Sequence, residues 1–151
     1  MIVRKADVSM IVVSACLVGL NCRYDGSSCL FQGAVELMKM GLAVPLCPEQ
    51  LGGLPTPRLP CEIKGNKVVN LNGLDMTGFF DKGVKESLHM VDMLDVKVAL
   101  LKEKSPSCGV SWVYDGSFSG SLRRGQGFFA SALSDRGVTL FSENNFTVSR
   151  L

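Results

Sequence analysis

The sequence contains no CxxC pair, a single histidine and no apolar run long enough to cross a bilayer. Each shortage removes a class of protein. Without CxxC, zinc-ribbon and thioredoxin-type sites lack their spacing signature. The one histidine, His89, falls inside a predicted helix and off its apolar stripe, so it reads as solvated. A cysteine–histidine nucleophile pair is therefore a poor reading, and catalytic zinc usually includes His or a carboxylate. The longest apolar runs, Met10 to Leu20 and Val96 to Leu101, fall short of the roughly 20 residues a membrane helix needs. Met1 to Asp7 shows no convincing export signal. No membrane association is expected, and the expected compartment is the reducing cytosol. Charge of one sign is scarce too: 16 Lys plus Arg stand against 14 Asp plus Glu. The only dense basic cluster is Arg123 and Arg124. Extensive nucleic-acid binding is not expected.

What the chain does have is 151 residues, 46% of them apolar, and six cysteines. A single domain spanning residues 1–151 can bury a core without cross-links, so the cysteines are free for other work. In a reducing compartment that work is metal binding or catalysis more often than disulfide formation. Four short, β-branched apolar segments predict buried strands: Ile11 to Ala15, Leu42 to Leu46, Val96 to Leu101 and Val138 to Phe141. Between them lie helical patterns. The clearest is Thr77 to Leu94, with Phe80, Val84, Leu88, Val91 and Leu94 on one stripe. A second is predicted from about Ser28 to Met40, with Leu30, Ala34, Leu37 and Met38 inward, and a third from about Gln126 to Arg136. Gly41 and Gly137 stand where helix-ending glycines belong.

Strands alternating with helices predict an α/β domain with a mainly parallel sheet, helices on both faces and right-handed crossovers. Small hairpins are expected at Cys61 to Leu71, around Gly65-Asn66, and at Trp112 to Phe118, around Asp115-Gly116. Pro48 to Pro60, with four prolines, reads as a stiff non-helical loop of functional length. One faint internal echo exists: Tyr24-Asp25-Gly26 and Tyr114-Asp115-Gly116 are each followed by Ser. Two turns of similar chemistry account for it.

On this map Cys16 and Cys47 end the first two strands, and Cys108 lies in the loop leaving the third. Ligands of open α/β sheets collect at the carboxyl ends of the strands. Three thiols delivered there could share one metal centre. The plainer alternative is packing, since free cysteine is among the most buried residue types. Cys29 and Cys61 are read that way, and Cys22, six residues beyond Cys16, is left open. Zinc in a structural site normally takes four protein ligands. A cubane is ordinarily held by four cysteines, so three leave one iron without a protein ligand.

The neighbours of these cysteines are distinctive: Ser14-Ala-Cys-Leu-Val-Gly19, Cys22-Arg-Tyr-Asp-Gly26, Cys47-Pro-Glu49, Gly52-Gly-Leu-Pro-Thr-Pro-Arg58 and Ser105-Pro-Ser-Cys-Gly109. With Tyr114-Asp-Gly-Ser-Phe118 and Gly125-Gln-Gly127, these blocks in this order resemble the thiouracil desulfurase family, formerly described as a domain of unknown function. The resemblance spans about residues 11 to 143. It implies a 4Fe-4S cluster held by Cys16, Cys47 and Cys108 with one open iron. It also implies hydrolytic, non-redox removal of sulfur from small thiolated uracil compounds. The same resemblance assigns catalytic roles to Glu49 and to a serine, Ser105 or Ser107. Glu49 would move protons to and from water and the ring, and the serine would donate a hydrogen bond. Arg23 and Arg58 could meet an anionic substrate group or pair with Asp25, Glu49 or Glu62. Gly52-Gly53 and Gly125-Gln-Gly127 are weak signals of nucleotide binding. The competing function is a structural or sulfur-carrier module holding Fe-S or zinc, without desulfurase activity. Substrate form and oligomeric state stay open.

Overall fold

The computed structural model describes residues 9–151. The export-signal reading of Met1 to Asp7 lies outside the described residues. Four parallel strands form the central sheet: β1 (Ile11–Ser14), β2 (Ala43–Leu46), β5 (Val98–Leu101) and β8 (Thr139–Ser142), in the order β2-β1-β5-β8. Two antiparallel hairpins accompany it, β3 (Cys61–Lys64) with β4 (Lys67–Asn70) and β6 (Trp112–Tyr114) with β7 (Leu122–Arg124). The helices are α1 (Gln32–Lys39), α2 (Pro48–Leu51), α3 (Thr77–Leu94) and α4 (Phe128–Asp135). The expected α/β architecture is therefore present, with each strand within two residues of its predicted span.

Period-two alternation in the strands decides what each face of the sheet meets. Ile11, Val13 and Leu100 pack with Ala34 and Leu37 of α1 on one face. Val12, Ala99 and Leu101 pack on the other with Val91 of α3 and Phe129, Ala130 and Leu133 of α4. Covering on both faces explains why the strands read as continuous apolar runs. No helix among the described residues is long and apolar enough to cross a membrane.

Several local expectations are corrected. The helix predicted from Ser28 begins only at Gln32, because Cys29 and Phe31 donate their N–H groups to the Cys16 and Leu17 carbonyls, both at 2.9 Å. Leu30 and Met38, expected inward, are exposed. Leu94 is exposed as well, and the buried stripe of α3 runs through Gly83 and Ser87 instead. The Pro48 to Pro60 segment is not wholly non-helical. Pro48–Leu51 forms one helical turn with proline at its start, where a missing N–H costs nothing. The Trp112 hairpin is wider than predicted, since Tyr114 pairs with Leu122 across a long loop and not across a tight turn.

The short α2 matters because it carries the residues after Cys47. It lies backbone to backbone on α3, where a Cβ at Gly83 would meet the Pro48 carbonyl at 1.8 Å and one at Gly52 the Phe79 carbonyl at 2.0 Å. A mid-helix glycine normally weakens a helix, and here it admits a neighbour. Gly83→Ala is expected to cost about 1–3 kcal/mol through overpacking. A melting curve checks it: an unchanged midpoint would mean α2 docks elsewhere.

Candidate active site

The sheet order places a topological switch between β1 and β5, because the chain leaves β1 toward β2 on one side and returns to β5 on the other. Ligands of doubly wound sheets bind outside the carboxyl ends of the strands at such a point. A cavity of about 440 Å³ opens there, and Cys16, Cys47 and Cys108 line it together with Glu49, Ser105 and Ser107. All six residues named by the sequence reading thus face one space.

Each thiol arrives by a different local device. After β1 the chain turns into a tight helical turn, Ala15–Val18, ended by Gly19 in the left-handed region at φ +94. This turn buries Cys16 just beyond the strand. Cys47 is the residue before Pro48 and opens α2. Cys108 sits in a loop clamped from two sides. Phe129 and Ala130 donate their N–H groups to the Ser107 carbonyl at 2.8 and 3.2 Å. The buried Glu103 carboxylate accepts N–H bonds from Val110, Ser111 and Trp112 at 2.8, 2.9 and 3.1 Å on one oxygen. Gly127 has no room for a side chain, since a Cβ would come within 2.4 Å of the Ser107 backbone. Close backbone packing thus accounts for Gly127 and for Gly52.

Burial pushes the Cys16 and Cys108 thiols up to about 12, Cys16 further raised by Cys29 and Cys108 eased by hydrogen bonds from Ser14 and Ser107. Cys47 goes the other way, to about 7, because the Cys22 thiol hydrogen-bonds it. The Cys22 thiol is raised by the same contact. The three strand-end thiols also feel one another, Cys47 acting on Cys16 and both acting on Cys108. Among the described residues, no three His, Cys, Asp or Glu side chains stand close enough to share a single metal ion. The donors at this wall are soft sulfurs spread around a cavity. That arrangement suits a group that takes each ligand on a different iron, and it does not suit one tetrahedral zinc.

Without metal, the buried thiols have a pH consequence. Their folded-state values of about 12 lie above the ordinary 9.0. The unfolded chain therefore loses protons first as pH rises, and apoprotein stability falls between those two values. A metal-free sample should melt at a lower temperature at pH 10 than at pH 8. A higher melting point at pH 10 would contradict the burial of these thiols.

Beside the thiols runs a chain of polar groups. Arg58 Nη2 lies 3.2 Å from Glu49 Oε1, with both side chains largely buried. Ser107 Oγ donates to Glu49 Oε2 at 2.8 Å, and Ser105 Oγ is 2.9 Å from Ser107 Oγ. Ser105 Oγ also accepts the N–H groups of Ser107 and Cys108 at 3.1 and 3.0 Å. Its own proton therefore points along the chain to Ser107 or into the cavity. Arg58 further donates to the Cys22 carbonyl at 2.9 Å. Of the two arginine readings, pairing with Glu49 describes Arg58, while Arg23 lies over the Tyr24 ring at 5.8 Å.

A sequence model of the 2-thiouracil desulfurase family matches residues 11–145. The chain belongs to that family. It is 39% identical over 145 residues to the uncharacterized protein YbbK of Bacillus subtilis (strain 168), covering 89% of this chain and 96% of that one. It also resembles a solved structure described as the [4Fe-4S]-dependent thiouracil desulfidase TudS, with a TM-score of 0.86 and 43% identity over 90% of this chain and 91% of that one.

Within this family member, several positions around the cavity carry no mark in the sequence. Glu103 shapes the Cys108 loop, Ser14 hydrogen-bonds Cys108 and accepts the Lys102 N–H at 2.9 Å, and Lys102 pairs with Glu143 at 2.8 Å beside the cavity. No signal in the sequence marks Glu103 or Lys102, since a charged residue after a strand looks like a solvated one. Cys22 and Cys61 also line the cavity; Cys61 packs on the cluster of Leu54, Ile63 and Phe80, and Cys29 packs on the core beside Cys16, as expected for both.

Proposed function

We propose that this desulfurase acts on a small thiopyrimidine, converting C=S to C=O with release of sulfide, through a 4Fe-4S cluster held by Cys16, Cys47 and Cys108. The observation that carries the reading is the hydrogen-bonded chain from Arg58 through Glu49 and Ser107 to Ser105, lying along the wall that bears the three thiols. A structural or carrier module has no use for a largely buried carboxylate held ready beside its metal. When bound, the cluster supplies an open iron that polarises the thiocarbonyl as a Lewis acid.

The remaining chemistry belongs to the chain. Glu49 takes a proton from the water that attacks the thiocarbonyl carbon and returns one to the ring nitrogen. Arg58 holds one carboxylate oxygen and Ser107 the other, so the group is oriented before substrate arrives. Ser105 donates a hydrogen bond to the ring, its oxygen being anchored by two backbone N–H groups. For a substrate bound as its thiolate anion, water supplies the oxygen and two protons, one ending on the ring nitrogen and one on the sulfur that leaves as hydrosulfide, and no electrons are transferred.

Anaerobically purified protein should hold about four irons and four acid-labile sulfides per chain, the composition of a cubane. It should also release sulfide from at least one of thiouracil, thiouridine and a thiouridine nucleotide. Zinc without iron, or a full cluster with no release from any of these, would overturn the proposal.

A further inference from the structure

The Tyr-Asp-Gly-Ser turn occurs twice, and the proton chemistry leaves both copies unexplained. They are built alike. Asp25 Oδ1 accepts the Ser27 N–H at 3.0 Å and Asp115 Oδ1 the Ser117 N–H at 2.9 Å, with Gly26 and Gly116 at φ +80 and +92. Both tyrosines, Tyr24 and Tyr114, line the cavity. The two turns thus bring aromatic residues to the same cavity from separate parts of the chain.

The second turn carries a further residue, Phe118. Its backbone is held at φ +56, a left-handed conformation that a bulky side chain rarely adopts. The clamp that holds it is visible. The buried Glu62 accepts the N–H groups of both Gly116 and Phe118 on one carboxylate oxygen, each at 3.0 Å. Gly116 in turn lies so close to β3 that a Cβ would meet the Ile63 carbonyl at 2.8 Å. Phe118 lines the cavity and belongs to none of the hydrophobic clusters of the described residues. Core packing therefore does not account for the strain. Backbone strain persists only where the surroundings enforce it, and it concentrates at ligand clamps.

We propose that Phe118 contacts the face of the substrate's pyrimidine ring, with Tyr24 and Tyr114 completing an aromatic wall, and that Glu62 is its positioning residue. This rests on the desulfurase reading of the cavity. A thiopyrimidine is flat, with hydrogen-bonding groups at its edge and a π surface on each face. The serines and the thiol wall address the edge, which leaves the faces to aromatic side chains. Stacking of this kind accepts any base-like ring and contributes binding without chemistry.

The test uses anaerobic, cluster-loaded full-length protein. Phe118→Ala should raise KM for thiouracil about 10-fold, the scale of lost base stacking, and leave kcat, iron and sulfide content and melting temperature near wild type. Phe118→Tyr should restore KM. Direct titration with uracil, which cannot react, should show a matching loss of affinity in the alanine variant. Glu62→Ala should raise KM similarly, and Phe118→Ala added to it should raise KM no further, because the second change removes a ring already displaced. Unchanged KM and uracil affinity in fully loaded Phe118→Ala overturns the proposal while the desulfurase reading stands. Loss of iron or of melting temperature that persists in Phe118→Gly, where the strain is gone, also overturns it by making the ring structural. Failure of loaded wild type to release sulfide removes the desulfurase reading and this inference with it.

Discussion

Cys108→Ala is expected to abolish both the cluster and sulfide release while leaving a folded protein. Cys108 is buried and its loop is pinned by the Glu103 carboxylate, by α4 and by Gly127, so no other thiol can swing into its place. Two thiolates would hold a cubane too weakly to keep it through purification. The substitution trims one sulfur from a buried small side chain, so the loss of stability is modest, about 1 kcal/mol. Iron and acid-labile sulfide should fall to background while the metal-free form still melts cooperatively, its midpoint lowered by about 2–4 °C. Cys61→Ala, which touches another part of the same cavity, should keep its iron. A Cys108→Ala protein that retained four irons would show that Cys22 or Cys61 is the true third ligand.

Glu49→Gln has the second largest expected effect and separates chemistry from assembly. The amide has the carboxylate's shape and can still accept the Ser107 hydrogen bond, but it cannot carry a proton. Turnover should drop by roughly 10²- to 10⁴-fold, the usual range for removing a general acid–base group. Iron content should stay at the wild-type level. Arg58 loses its ionic partner yet keeps the carbonyls of Cys22 and Pro55 and the Thr56 hydroxyl. Destabilisation should therefore stay within about 1–3 kcal/mol, the cost of one weakened buried hydrogen-bond partner. If sulfide release from a loaded Glu49→Gln sample matched wild type, the proton carrier would have to be sought elsewhere.

The long elements were legible because their periodicity is enforced by burial. Val12 and Val13 face opposite covered sides, and α3 spans its predicted residues, Thr77–Leu94. Errors fell where a tertiary contact outbids local pattern. Leu30 looked like the first turn of a helix, but the Cys29 and Phe31 amides are held by the turn after β1. Pro48 looked like part of a rigid loop, yet proline is a good first residue for the helical turn that docks on Gly83. The Gly125-Gln-Gly127 block suggested phosphate because glycine's two uses, close approach to a ligand and close approach to another backbone, leave the same mark in a sequence.

By itself the sequence placed three thiols, Cys16, Cys47 and Cys108, and one carboxylate, Glu49, at the edge of the sheet. Cys16, Cys47, Glu49 and Cys108 are tied by short chain segments to strand ends, and the covered apolar runs mark which segments are strands. Only the tertiary structure decided how those groups are used. The Arg58–Glu49–Ser107–Ser105 chain joins α2, the loop that follows it and the loop after β5. Glu103 grips a loop several residues downstream, and Glu62 holds Phe118 from another hairpin. Such partners are fixed by the direction of single hydrogen bonds between elements distant in the chain, and no periodicity records that direction.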